Sequence, residues 1–159
     1  MVEALTIRAA SAEDEVAWVR LNQDFMREVA DANPAWGTLK VPSAEDLGRV
    51  FREALAAPES IRVFVARMDG EIRAYANTWT VYSVWSGGLA LTVDDLYVDP
   101  ARRGHGIGEA LMKHLEAYAL ERGCRRMQLH AEATNDRAQA LYRKLGMHGE
   151  GMVFFRKNL

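Results

Sequence analysis

Leu5 and Ile7 alternate with Thr6 and Arg8, the two-residue period of a half-buried strand, and predict a short first strand. Ser11, followed by the acidic Glu13, Asp14 and Glu15, suits the positive start of a helix. Trp18, Leu21, Phe25 and Val29 then recur at the three- and four-residue spacing that lines one helical face, until Asn33, Pro34 and Gly37 break the pattern. Ser43 with Asp46 opens a second helix that turns Leu47, Val50, Phe51 and Leu55 inward, and Pro58 closes it. The long loop between these helices carries Trp36.

The period then changes to that of strands. A strand over 61–68, the turn pair Asp69-Gly70 and a strand over 71–82 read as a hairpin. After Ser86-Gly87-Gly88 a third strand over 89–98 ends at Asp99-Pro100, which predicts an antiparallel meander. Ile107, Leu111, Leu115 and Tyr118 mark a helix stopped by Gly123. A strand over 125–133, a helix over 136–145 and a last strand over 151–157 complete the chain. The order is mixed α/β, and 89–133 forms a strand, crossover helix, strand unit with its two strands parallel and right-handed. No linker or repeat interrupts it, so residues 1–159 are expected to form a single domain.

Composition narrows the partners. Apolar residues make up 49% and charged residues 26%, near the globular average, which excludes disorder and fibrous classes. The net charge of -2 and the lack of a polybasic run speak against nucleic acid and against an anionic membrane as partners. A lone Cys124 excludes an internal disulfide, and the four His show no metal spacing, so no metal is expected. Residues 1–10 lack the basic start and apolar stretch of a signal peptide, and no apolar run is long enough to span a bilayer; a cytoplasmic location is expected.

Chemistry concentrates where the third strand of the meander meets the next helix. Arg103, Gly104, His105, Gly106, Ile107 and Gly108 place three alternate glycines at a helix N-terminus. Glycine lets main-chain N–H groups converge on a ligand, and the helix end adds roughly half a positive charge, so the junction suits a phosphate. It is not a P-loop, because no Gly-Lys-Ser/Thr follows, and its position after antiparallel strands is wrong for a dinucleotide fold. A plain strand-to-helix turn would not need three glycines beside an arginine.

The pattern Arg103-x-x-Gly106-x-Gly108, after Leu96-Tyr97-Val98-Asp99-Pro100, resembles the acyl-CoA motif of the GNAT superfamily of N-acetyltransferases. A second segment agrees: Asn135-Asp136-Arg137-Ala138-Gln139-Ala140-Leu141-Tyr142-Arg143-Lys144-Leu145-Gly146 resembles that superfamily's Asn-x-x-Ala-x-x-Leu-Tyr-x-Lys-x-Gly segment. The likeness is specific from about residue 89 to 147, with Met147 standing where the family often has Phe. A shorter likeness, in Tyr82-Ser83-Val84-Trp85 and Asp94-Asp95-Leu96-Tyr97-Val98, is to the diamine (spermidine/spermine) branch.

The resemblance implies a GNAT-type fold: a mostly antiparallel sheet, one splayed parallel strand pair, and helices on both faces. It implies acetyl-CoA as cosubstrate, with main-chain N–H groups from Arg103 to Gly108 on the pyrophosphate. The 96–98 main chain (Leu96, Tyr97, Val98) would meet the pantetheine arm as an added strand does, with Asn135 on its other side. Asn135 is equally suited to a plain helix cap. The implied reaction is direct attack of a primary amine of a small molecule, polyamine-like or amino-acid-like, on the thioester. Such an amine has a pKa near ~10.4 and must lose a proton first, so a carboxylate is needed. Asp94 and Asp95 are the candidates. Successive strand residues face opposite sides, so without a bulge only one serves; Asp94 shares its side with Leu96 and Val98, Asp95 with Val93 and Tyr97, and Asp94 is preferred. Tyr142 matches the family position of the acid that protonates the leaving thiolate. Trp36, Tyr82 and Trp85 are expected to wall the acceptor cleft. Dimers are common among similar proteins, so a homodimer is expected. Two other readings stay open: a non-catalytic acyl-CoA sensor, and acetylation of a protein or peptide amine. The sequence does not name the acceptor.

Overall fold

A computed structural model of the chain describes residues 4–36, 40–157 and 159. Gly37, expected to help end the first helix, lies outside the described residues, as do residues 1–3. Strand β1 (Thr6–Ala9) leads through a 3-10 turn, Ala12–Asp14, into helix α1 (Glu15–Ala32). A second 3-10 turn, Pro34–Trp36, precedes α2 (Ala44–Ala56). Strands β2 (Ile61–Met68), β3 (Glu71–Ser83) and β4 (Gly88–Val98) follow, then α3 (Ile107–Glu121), β5 (Arg126–Leu129) and α4 (Asp136–Lys144). The chain clusters into two compact units, residues 1–129 and 130–159, and α4 belongs to the second.

In the first unit a five-stranded sheet runs β1-β2-β3-β4-β5. Its first three pairings are antiparallel and β4–β5 is parallel; the β2–β3–β4 meander and the parallel pair are those the element order predicts, and β1 adds to the edge of β2. One face packs on α1 and α2: Trp18, Leu21, Leu47 and Phe51 bury against Val63, Val65, Tyr75 and Tyr97. The other face packs on α3, where Phe64 meets Tyr118 edge-on at 4.9 Å and Ile107, Leu111, Met112 and Leu115 are buried. The apolar stripe read for the first helix is therefore real, because a helix on a sheet needs one wide apolar face. Ser43 caps α2 by accepting from the Asp46 N–H at 3.1 Å. Val50, expected inward, is 42% exposed: Leu47, Phe51 and Ala54 already form the buried ridge of α2, and Val50 falls outside it.

Two irregularities shape the middle of the sheet. The β3–β4 register shifts between Asn77 and Thr78: Thr78 pairs with Val93 but Asn77 pairs with Asp95, so Asp94 is an extra, unpaired residue. This bulge corrects the expected alternation. Thr92 and Asp95 now share the α1 face with Tyr97, while Val93, Leu96 and Val98 fall on the α3 face. Second, β5 pairs with β4 only from Ala90↔Arg126 to Val93↔Leu129, so β4 continues through Val98 without that neighbour.

The expected strand over 125–133 is thus confined to Arg126–Leu129. The expected last strand over 151–157 does not form; those residues take no regular structure, and Met152, Val153, Phe154 and Phe155 are exposed. A run of strand-favouring residues makes a strand only when another strand supplies the hydrogen-bond ladder. Among the described residues, no helix is long and apolar enough to cross a membrane.

The entry to α1 is fixed by charge. Asp14, 4% exposed, accepts from both terminal nitrogens of Arg8 (2.7 and 2.9 Å) and from the Ser11 N–H (2.8 Å). Burial alone would raise this carboxyl, but the Arg8 and Ser11 bonds outweigh it and hold it below the usual carboxylate range. A depressed folded pKa stabilises the fold above the unfolded value of about 3.9, and that stabilisation is lost as pH falls through the folded value. Asp14→Asn should therefore cost about 1–3 kcal/mol at neutral pH. The difference from wild type should shrink below about pH 4, read from urea unfolding across pH.

Candidate active site

The candidate site is built on the stretch of β4 beyond Val93 and on the turn that follows it. Asp99 ends β4 and organises the turn: its Oδ1 accepts from the Ala101 N–H at 3.0 Å and its Oδ2 from Arg73 at 3.2 Å. The chain then passes through the 3-10 turn Pro100–Arg102 to the glycines. Gly104 (φ +83°) and Gly106 (φ +77°) are both left-handed, the conformation only glycine adopts without strain, and Gly106 is the N-cap of α3. With no side chain at the cap, the first-turn N–H groups of a 15-residue helix have no side-chain acceptor from it. A Cβ at either glycine would meet nothing within 4 Å, so conformation and not crowding demands glycine there. The Ile107 side chain is buried in the core, which leaves its main chain as the part that faces the turn. His105 is exposed, its Nδ1 lying 3.2 Å from the Arg102 carbonyl and 3.1 Å from that of Arg103. With the proton on Nδ1 it staples the turn to itself.

Arg103 behaves differently from the bare positive charge that the sequence suggests. Its two terminal nitrogens donate to Glu28 of α1 at 2.8 and 2.7 Å, its Nε donates to the Val98 carbonyl at 3.0 Å, and its guanidinium lies 5.3 Å from the Tyr97 ring centre. The bidentate pair ties α1 to the end of β4. Arg102 is likewise paired, with Asp69 at 2.8 Å. The Tyr97 ring is buried against Phe25 and Tyr75, and its hydroxyl donates to Glu28 at 3.3 Å. Burial, reinforced by the Glu28 charge, pushes its phenol up to about 12.

Beside Tyr97 a groove of about 550 Å³ is lined by Asp24, Arg27, Glu28, Asp31 and Pro100. Its carboxylates are largely balanced, since Asp24 pairs with Arg27 at 3.1 Å and Glu28 with Arg103. The groove's charge alone therefore does not select a polycation.

The two candidate carboxylates are in different surroundings. Asp94, on the bulge, is exposed, whereas Asp95 is partly buried on the α1 face. Burial raises the Asp95 carboxyl, a donated bond from Asn77 at 2.8 Å opposes this, and the neighbouring Asp94 charge adds to the rise. Asn77 in turn accepts from the Trp18 indole N–H at 2.9 Å. Neither partner carries a recognisable motif. The available signal was an Asn in the middle of an otherwise buried strand, where an amide must find hydrogen bonds.

Leu96 and Val98 lie on the stretch of β4 without a β5 neighbour. Tyr82 and Trp85 are exposed at the far end of the β3–β4 hairpin. Tyr82 pairs with Leu89, five β3 residues and about 17 Å from the Asn77↔Asp95 rung at roughly 3.3 Å per residue, so these two aromatics are not brought to the Asp95 rung. Trp36 closes the 3-10 turn after α1, its N–H donating to the Asn33 carbonyl at 2.9 Å. In the second unit, Asn135 is the N-cap of α4 and accepts from the Ala138 N–H at 3.1 Å, the capping role open to any Asn. Tyr142 sits on the same helix, partly buried, and burial raises its phenol. Among the described residues, no group of three or more His, Cys, Asp or Glu is placed to hold a metal ion.

The model of the acetyltransferase (GNAT) family matches residues 18–147. An aminoglycoside N(6')-acetyltransferase type 1 of Stenotrophomonas maltophilia is 27% identical over 163 aligned positions, covering 100% of this chain and 97% of that protein. The thialysine N-epsilon-acetyltransferase of Bos taurus is 40% identical over 79 positions, 47% of this chain and 46% of the relative. The chain spans about half the length of several curated relatives that it matches. A solved aminoglycoside N-acetyltransferase in complex with CoA superposes with a TM-score of 0.80 at 19% identity, over 100% of this chain and 98% of that one, a likeness of fold.

Gly106→Val would force a β-branched residue into the left-handed region, at a cost of about 1–2 kcal/mol. A lower denaturation midpoint and weaker coenzyme A binding by calorimetry are expected. Unchanged binding would show that the shape of this turn does not matter to the ligand.

Proposed function

Because the chain belongs to the GNAT acetyltransferase family, whose pattern it carries over residues 18–147, we propose that it transfers the acetyl group of acetyl-CoA to the primary amine of a small molecule. The observation that carries this reading is the loss of the β5 partner after Val93, next to a helix start opened by left-handed glycines. An extended amide-bearing arm can add to such a strand edge, while a diphosphate meets the N–H groups of the α3 start. Acetyl-CoA has both parts in one molecule. The Arg103 guanidinium is engaged with Glu28 and with the Val98 carbonyl. The ligand's contacts there therefore rest on main-chain N–H groups, and the Leu96 main chain is better placed for the arm than that of Val98, whose carbonyl already accepts from Arg103.

In the proposed reaction the amine first gives up a proton, and Asp95 is the acceptor we assign. Its partial burial raises its proton affinity toward that of a working base, whereas Asp94 lies exposed on the bulge. The nitrogen lone pair then attacks the thioester carbon and forms the C–N bond. The carbonyl oxygen carries the negative charge until the C–S bond breaks, and a main-chain N–H of the β4 edge stabilises it. The departing thiolate takes a proton from Tyr142, whose raised phenol holds that proton at neutral pH. The amine's second proton restores the Tyr142 phenol and Asp95 gives its proton to solvent, so one proton is released per acetyl group transferred. Burial also raises the Cys124 thiol, which supports direct transfer over a thiol intermediate.

The test is release of free CoA from acetyl-CoA in the presence of polyamines, amino acids, aminoglycosides and peptides. Turnover with a small amine supports the reading, turnover with peptides alone moves the acceptor class, and binding of acetyl-CoA without any turnover leaves a sensor. Asp95→Asn should lower kcat/KM by about 10²–10³ with acetyl-CoA affinity unchanged, and Asp94→Asn should do much less. Wild-type kcat/KM should fall as pH drops through the raised Asp95 value, and Asp95→Asn should lose that limb. Tyr142→Phe should cut turnover and leave acetyl-CoA binding intact.

A further inference from the structure

We propose that Asn77 and Trp18 are positioning residues that set the orientation and basicity of Asp95, a role that rests on Asp95 being the proton acceptor. Three observations meet at this point. The bulge at Asp94 places Asn77 on the rung directly opposite Asp95; in a regular ladder continued from Thr78↔Val93, Asn77 would face Asp94 instead. The Asn77 Nδ2 donates to Asp95 Oδ2 at 2.8 Å, and among the described residues this is the side-chain bond that Asp95 receives. The Trp18 Nε1 donates to Asn77 Oδ1 at 2.9 Å.

An indole N–H can only donate and a carboxylate can only accept. Turning the Asn77 amide over would set donor against donor at Trp18 and acceptor against acceptor at Asp95. The amide therefore has one orientation, with its donor aimed at the carboxylate. Trp18 is itself fixed: it is 3% exposed, its ring packs at a tilt 5.0 Å from Phe51 and 6.1 Å from Tyr75, and its carbonyl accepts from the buried Asn22 at 2.8 Å. The indole is thus held by the core, the amide by the indole, and one carboxylate oxygen by the amide. The second carboxylate oxygen is turned by the same constraint, so the chain carries core rigidity out to the proton acceptor.

The donated bond also favours the ionised carboxylate against the burial that opposes it. The Asp94 charge on its own strand reaches Asp95, and the Asp95 charge in turn reaches the Tyr75 phenol on β3; α1 contributes Trp18 and Asn22, which do not titrate.

The experiment compares Asn77→Ala, Trp18→Phe and Asp95→Asn by the pH profile of kcat/KM with acetyl-CoA and a responsive amine, and by the ¹³C titration of the Asp95 carboxyl. Asn77→Ala should move the acidic limb and the Asp95 midpoint upward, by about half to one pH unit for a lost hydrogen bond of roughly 1 kcal/mol. It should lower kcat about tenfold while leaving acetyl-CoA affinity in place. Trp18→Phe keeps the ring, frees the amide to turn over, and should give a shift of the same sign, so either variant serves where the other fails to fold. In an Asp95→Asn background neither change should cost further activity. A limb and midpoint that stay where wild type has them in both variants overturn the positioning role even if Asp95→Asn abolishes the limb. A limb that survives in Asp95→Asn removes the premise itself, and the positioning role with it.

Discussion

The arrangement of this protein depends on one extra residue in the middle of its sheet. Because side chains alternate along a strand, a single unpaired residue at Asp94 exchanges the two faces for everything that follows. Upstream, Val93 points to α3; downstream, Asp95 and Tyr97 point to α1. The same position is where β4 parts from β5, since their pairing stops at Val93↔Leu129. The bulge turns a carboxylate toward the helix that carries Trp18 at the place where the end of β5 leaves the edge of β4 open.

Around that point the polar groups are cross-linked by charge-assisted and amide bonds. Arg103 joins the glycine turn to α1 through Glu28 and to β4 through the Val98 carbonyl, while Asn77 joins β3 to Asp95. The first tie links the proposed coenzyme site to the helix that lines the groove, and the second links the apolar core to the proposed base. Both rest on contacts between elements far apart in the chain, which the glycine motif by itself does not contain. The family explains the glycines, and the ion pairs explain why the turn keeps its place against the rest of the unit.

Much of the first unit was legible because its determinants are local. The β2 strand, the Asp69-Gly70 turn, the Ser43 cap and the stop at Gly123 follow from period and from residues with particular backbone freedom. Where burial had to be guessed from spacing alone, Val50 was placed wrongly, since which apolar residues form the ridge depends on the sheet beneath the helix. The segment over 151–157 carries the apolar, strand-favouring run Met152 to Phe155 and takes no strand, because pairing is a property of two segments and not of one.

The sequence by itself determined the order of elements from β1 to α4, the glycine-opened helix start and the family, since each rests on residues close together in the chain. It could not decide between Asp94 and Asp95, and leaned to Asp94 by assuming unbroken alternation. Only the tertiary structure set the β3–β4 register, and with it the exposure of Asp94, the rung between Asn77 and Asp95, and the pairing of Arg103 with Glu28 seventy-five residues away. Register is the summed outcome of hydrogen bonds and packing across whole strands, so no window of sequence contains it.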